Sequence, residues 1–200
     1  MISGIIASTN VSSAPPVGVT WNPTGKGFVN LSDGNLTATS MGSGSNYGNA
    51  RSTVPIIGKK YFEVKIIAIG SGFMPGVGIS DVGVISSDVE FGQNSNNVEL
   101  RANGSIYKAG SIISSWTSDL SVNDIVMIAV DTSANKIWFG KNGVWLNGGD
   151  PAAGVSPASS NNVPGTGWAA IATGPGGSVG AGTAFFTTLN YMPPTGFSAL

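Results

Sequence analysis

The sequence predicts an all-β chain: an antiparallel two-sheet β-sandwich over residues 19–200, preceded by a short arm over residues 1–18. Three observations carry that reading. Short apolar segments recur between clusters of Gly, Asn, Asp and Ser from Val19 onward, the spacing of a strand-rich sandwich. Asp33-Gly34, Asn103-Gly104 and Asn142-Gly143 each lie between two strand-like runs. No segment keeps a 3.6-residue apolar period long enough for a helix.

Taken in order, residues 1–18 are small and polar and include Pro15-Pro16; an arm with little structure of its own is expected. Asp33-Gly34 separates Phe28–Ser32 from Asn35–Thr39, Asn103-Gly104 separates Val98–Ala102 from Ser105–Ala109, and Asn142-Gly143 separates Ile137–Lys141 from Val144–Leu146. Each pair supplies the two φ > 0 residues of a type I′ turn, so a two-residue hairpin is expected at each. A fourth turn, Thr132–Asn135, joins Ile125–Asp131 to Lys136–Phe139. In Tyr61–Ile69 the even positions Phe62, Val64, Ile66 and Ala68 are apolar, while Tyr61, Glu63 and Lys65 are mostly polar. That alternation predicts one buried face and one solvent face. Ile125–Val130 is apolar throughout and should be covered on both sides. Ile137 and Phe139 should share one face of their strand and Trp138 the other. Phe62, Ile137, Phe139 and Trp168 are the expected aromatic and aliphatic core. Asn147–Gly167, rich in Gly, Pro, Ser and Asn, reads as a long loop, and such loops are often functional. Gly174–Gly182 separates strand-like Trp168–Thr173 from Thr183–Thr188.

Composition removes several function classes. The 200 residues include 30 Gly, no Cys and no His, with nine bases against ten acids. Zinc sites built on Cys or His are therefore impossible, as are Ser-His-Asp and Cys-His nucleophiles. Near-neutral charge argues against nucleic acid as a partner, because that affinity comes from Lys and Arg on phosphates. The longest apolar runs fall far short of a membrane span, so no membrane insertion is expected. Met1–Ser8 lacks the basic start and long apolar core of a signal peptide, and the absence of Cys argues against a small disulfide scaffold.

Asp124–Asp131 followed by Asn135–Trp145 resembles the SPRY-domain signature: a "D-x-h-G-h-h-h-D" strand (h for hydrophobic), a short turn, then "I-x-F-x-K-N-G". Lys60–Val64 looks like that family's "Y-F-E-V" strand, Gly76–Ile79 its "h-G-h" strand and Tyr107–Gly110 its "Y-x-x-G". Trp168–Ile171 looks like "h-P-A-h" without the Pro. Val126 stands where the family has Gly, and Gly140 where it usually has Ser. The chain is most similar to SPRY-like proteins of tailed bacteriophages and prophages. Trp21-Asn22-Pro23, Gly34–Thr39, Gly149–Gly154 and the Pro193–Leu200 segment carry that likeness. The resemblance covers about residues 19–200 and implies a bent two-sheet recognition module with no catalytic residues and no cofactor. It also implies a place in the virion, the protein being made in the bacterial host cytoplasm. Expected partners are other virion proteins of the capsid or tail. The alternative is a tail-fibre tip that binds a host surface glycan or receptor. Symmetric virion positions are compatible with a homo-oligomer.

Candidate site residues follow by elimination. Asp81, Asp88 and Glu90 form the one local acidic cluster. It reads as a solvated loop, ahead of a weak Ca²⁺ site or the carboxylate pair of a glycosidase. No catalytic or metal-binding residue is therefore expected. Gly174-Pro175-Gly176-Gly177 lacks the Lys-Ser/Thr ending of a phosphate loop and reads as a turn. Tyr47, Phe73, Phe91, Trp116 and Trp145 fall in or beside loop-like segments and are the candidate partner- or glycan-contact residues. Aromatic rings bury much area at little entropic cost. Trp145, directly after the Asn-Gly turn, is the one expected to be most exposed.

Overall fold

A computed structural model describes residues 18–41, 46–71, 74–81, 96–116, 119–161, 163–174 and 180–200. The strands are, in chain order, β1 (Trp21–Gly27), β2 (Val29–Ser32), β3 (Thr37–Ser40), β4 (Gly48–Ile56) and β5 (Lys59–Ala68). β6 (Gly76–Ser80), β7 (Val98–Arg101), β8 (Ser105–Lys108), β9 (Ser111–Ser115) and β10 (Ile125–Asp131) follow. β11 (Lys136–Lys141), β12 (Val144–Trp145), β13 (Gly167–Gly174), β14 (Ala181–Phe185) and β15 (Ser198–Ala199) complete the set. One sheet has the order β1-β4-β13-β6-β7-β8-β9 and the other β12-β11-β10-β5-β14-β3-β2. Every pairing in these two orders is antiparallel; β15 joins the second sheet by a parallel pairing with β5. The chain is thus an all-β, two-layer sandwich, as the sequence predicts.

The period-2 alternation of the strands builds the core. Phe62, Val64 and Ile66 of β5, Val126, Ile128 and Val130 of β10, and Ile137 and Phe139 of β11 are fully buried. They meet Val77, Ile79, Val98, Leu100, Ile106 and Ile171 of the facing sheet in one cluster. At about 1.5–3 kcal/mol for each large apolar side chain taken out of water, this cluster is the main stabilising term. β10 is covered on both sides as expected, because Met127 and Ala129 belong to a second cluster on the sheet's outer face with Tyr61, Trp138 and Phe197. Ile137 and Phe139 face the core and Trp138 the other way, also as expected. Val126, in the place of the usual Gly, lies wholly inside the core.

The turns separate by chemistry. Lys141 pairs with Val144 around Asn142 (φ 51°) and Gly143 (φ 88°), the expected two-residue hairpin. Asp131 pairs with Lys136, and its Oδ1 accepts the N–H groups of Ser133 and Ala134 at 3.0 Å each, which closes the Thr132–Asn135 turn. The other two hairpins differ from expectation. Ser32 pairs with Thr37, so the loop is Asp33–Leu36, with Asp33, Gly34 and Asn35 all at positive φ. A third consecutive residue able to hold the left-handed conformation lengthens the turn. At Asn103-Gly104 only Gly104 has positive φ (77°), and its N–H bonds Arg101 O at 2.9 Å. That is the single left-handed glycine of a longer hairpin rather than a type I′ pair.

Two further expectations are corrected. Two of the odd positions of β5 do not face solvent: Tyr61 and Glu63 are fully buried, because the C-terminal segment lies over them, while Lys65 is half-buried and Ile67 exposed. Trp168 is not in the core. It sits half-buried on the outer face of the first sheet, with the Arg51 guanidinium 5.1 Å from its ring centroid. The Asn147–Gly167 stretch is pinned to the sandwich. Asp150 bridges Val155 and Ile137 bridges Ser159, and Trp138 Nε1 donates to Val155 O at 2.8 Å.

Candidate interaction surfaces

The buried carboxylate of Glu63 accepts four hydrogen bonds. Oε1 accepts the Tyr61 hydroxyl at 2.7 Å and the Tyr191 N–H at 2.8 Å. Oε2 accepts the Asn190 N–H at 2.8 Å and its side-chain Nδ2 at 2.9 Å. Four donors surround the carboxylate, so the charge that burial would penalise is held by charge-assisted bonds. Beyond this knot, Phe197 packs edge-on against Trp138 at 6.1 Å and Ser198–Ala199 forms β15 beside Lys60 and Tyr61. Leu200 N–H donates to Tyr61 O at 3.0 Å, and the Leu200 side chain enters the main core. The Pro193–Leu200 motif is therefore a clasp over the outer face of the second sheet.

This clasp sets a pH dependence. Burial first, then the bond to Glu63, pushes the Tyr61 phenol well above its ordinary 10.0. The folded state holds the proton longer than the unfolded chain, so the contribution is full below pH 10.0 and lost as pH rises above it. Urea midpoints are expected to fall steeply above that pH, and Tyr61→Phe to flatten the fall. The same variant should cost about 2 kcal/mol at pH 7, the worth of a hydrogen bond to a charged group. An unchanged alkaline slope in the variant would refute this origin.

Strand direction gathers several candidate aromatics at one end of the sandwich. Tyr47 precedes β4, Trp116 follows β9, and Trp145 follows the Asn142-Gly143 turn. Their rings nevertheless face three ways. Tyr47, half-buried, packs on Met74, Ala170 and Ala172 outside the first sheet. Trp116 packs against the edge of the main core, with Lys141 Nζ 5.5 Å from its ring centroid. Trp145 is partly buried, as Tyr47 and Trp116 are. It meets Tyr61 edge-on at 6.2 Å, and a Cβ at Gly140 would press first on the Val144 carbonyl oxygen at 2.9 Å and then on Trp145 Cε3 at 3.1 Å, a crowded contact. That contact accounts for glycine in place of the usual serine. Phe73 and Phe91 lie outside the described residues, as do Asp88 and Glu90.

Around Trp116 a polar set converges that residue-type reasoning missed. Asn142 Nδ2 donates to Asp124 Oδ1 at 2.7 Å, and Asn142 Oδ1 accepts the Ile125 N–H at 2.8 Å. Lys141 Nζ donates to Asp119 O at 3.1 Å and lies 3.8 Å from Asp124 Oδ2. The "K-N-G" run and the Asp that opens the β10 motif thus meet across the end of the sheet. Their separation in sequence hides the pairing. Elsewhere, Lys108 is buried on the inner face of β8 and donates to both the backbone and side-chain oxygens of Asn161. Burial lowers its pKa. Glu99, fully buried on the other face of the first sheet, pairs with Arg101 at 3.8 Å; the Arg101 guanidinium lies 3.5 Å from the Tyr107 ring centroid.

Among the described residues no three His, Cys, Asp or Glu side chains converge as a metal site, and no pocket opens. No described helix is long and apolar enough to cross a membrane.

The two antiparallel layers define a fold class, a two-sheet β-sandwich, that solved structures share. The SPRY domain of human HERC1 superposes with a TM-score of 0.69 at 18% identity, covering 85% of this chain and 99% of that one. A second human SPRY domain gives 0.58 at 18% identity, covering 79% and 96%. The stonustoxin structure gives 0.60 at 17% identity, with 84% of this chain matched to 27% of that one. The fold of this chain is thus that of SPRY domains. No protein-family model matches the sequence, and no curated protein matches it.

Proposed function

We propose that the chain is a non-enzymatic structural and binding component of a tailed-phage particle. It is exposed on the head or tail and fastened to a neighbouring virion protein by residues 1–18. The observation that carries the binding reading is the end of the sandwich where Trp116, Lys141, Asp124 and Asn142 converge. An aromatic face beside fixed amide, ammonium and carboxylate groups is the chemistry of a protein or glycan contact. The non-enzymatic reading is supported by how the acids are used. Glu63 holds the clasp, Asp131 and Asp150 close turns, and Asp124 bonds Ser121 N–H and Asn142. None of these is left to act on a substrate. The virion reading rests on the phage-like motifs, two of which have structural work in the fold: Gly149–Gly154 turns at Asp150, and Pro193–Leu200 forms the clasp.

The attachment is tested by adding tagged protein to particles that lack it. The full chain is expected to co-sediment, and a chain without residues 2–17 to stay in the supernatant; equal recovery would reject the arm as the fastener. The glycan-binding alternative is favoured by the Trp116 cluster. On a glycan array and in host adsorption, Trp116→Ala is expected to abolish the signal. Trp145→Ala should leave it intact while costing about 2 kcal/mol of stability, because that ring is packing. No signal from the unaltered protein would reject the alternative.

A further inference from the structure

We propose that Arg51, Trp168 and Asn22 form a binding site, on the outer face of the first sheet, for the carboxylate of an acidic sugar in a surface glycan. Arg51 of β4 lies beside Trp168 of β13, with its guanidinium 5.1 Å from the ring centroid. The chain has two arginines, and the fold uses them differently. Arg101 lies 3.8 Å from Glu99. Arg51 Nε is buried and has no acceptor among the described residues. A buried donor without an acceptor is costly, yet contact with the indole holds this one in place. Glu99, the carboxylate that β7 presents on the same face, is out of reach. β13 and β6 lie between β4 and β7, so the separation is three strand spacings, about 14 Å. Arg51 is thus a fixed, half-buried cation that no described residue neutralises.

Asn22 of β1 adds a second donor. Its Oδ1 accepts the Thr24 N–H at 3.0 Å, the Thr24 hydroxyl at 2.9 Å and the Gly25 N–H at 3.1 Å. Those bonds fix the amide and leave Nδ2 as its donor. The position a Cβ on Gly25 would take lies 2.9 Å from Arg51 Nε and 3.1 Å from Asn22 Nδ2, so the two donors flank one spot, and glycine keeps the space before them open. Two neighbouring donors, one of them cationic, call for an anionic acceptor. A guanidinium matches the planar fork of a carboxylate. The Trp168 ring beside it offers an apolar surface to the C–H groups of a sugar ring. Exposed Thr24 and Thr53 bring hydroxyls to the surroundings, which suits the hydroxyls of the same sugar. No pocket opens among the described residues, so the site is shallow and fits one residue of an exposed polymer rather than an enclosed small molecule.

The site is separate from the Trp116 group, and its test uses purified protein without particles, so its failure is distinct from failure of either reading above. Tri-galacturonate is titrated into the full chain while NMR follows the Trp168 indole and Arg51 Nε–H signals. Saturable shifts are expected, with a Kd of about 1 mM. The methyl ester of the same sugar, which has the ring but no charge, should bind at least about tenfold more weakly. Arg51→Lys keeps the charge but loses the fork, and should weaken binding by about tenfold or more with an unchanged melting temperature. Asn22→Asp keeps the oxygen that Thr24 and Gly25 bond and sets a carboxylate beside Arg51. It should fold normally and bind no sugar, because the site then carries its own anion. Lys65→Gln removes the same charge from the outer face of the other sheet and should leave binding within about twofold. Absence of saturable shifts in the unaltered chain, equal binding of the ester, or full binding by both site variants would each overturn the proposal. So would tighter binding of a glutamate tripeptide than of the sugar, which would make the site a protein contact.

Discussion

Glu63→Ala is expected to lower unfolding stability by about 4 kcal/mol, within the range for removing one partner of a buried charged network. The variant strands the Tyr61 hydroxyl and the N–H groups of Asn190 and Tyr191 without their acceptor. The Tyr61 hydroxyl is the fully buried donor, and leaving it unmade costs about 1–3 kcal/mol; the Asn190 and Tyr191 donors lie nearer the surface and add less. The damage should also be local. With the knot gone, the segment from Leu189 to Leu200 should loosen, and limited proteolysis should cut it before the sandwich unfolds. Urea unfolding reads the total; for a chain of this length the melting temperature should drop by about 10 °C. Glu63→Gln keeps the volume but offers an amide to four donors, and should lose about half as much. A loss under about 1 kcal/mol for the Ala variant would show that the clasp is held by Phe197, Leu200 and β15 alone.

Gly78→Ala is the second large effect. Gly78 sits in β6 at the centre of the first sheet, and a Cβ there would overlap the Val98 carbonyl oxygen of β7. That obstacle is backbone and cannot swing aside. Relief requires opening the ladder that pairs Gly76 with Arg101 and Ile79 with Val98. The expected loss is about 3 kcal/mol or more, on the scale of overpacking in a well-packed interior. Gly165→Ala is the matched control: a Cβ there meets nothing within 4 Å, and the change should stay within about 0.5 kcal/mol. Equal stability of the two variants would contradict the close approach of β6 and β7.

The sequence carried the layers better than it carried their coverings. Alternation in β5, the all-apolar β10 and the Asn142-Gly143 turn were legible because each is a local pattern with one physical solution. β4 was not marked, because its buried Asn49 and Ser52, its exposed Val54 and its Pro55 break the period. The outer face of β5 was misread for a different reason. Its cover arrives from Asn190, 127 residues away in sequence, and no local periodicity encodes that. The candidate site was legible only as residue types. Aromatic residues in loops could be named, but which of them pack and which meet polar partners depends on the end of the sandwich each strand delivers them to. Trp145 turned inward onto Gly140 and Tyr61, while Trp116 gained the Lys141–Asp124–Asn142 group.

Imaging of intact, labelled particles tests the central claim most directly. With a tag following Leu200, label is expected at regular positions on the outside of the head or tail, and to vanish from particles assembled with the chain lacking residues 2–17. Purified, infectious particles that contain none of this chain would contradict it.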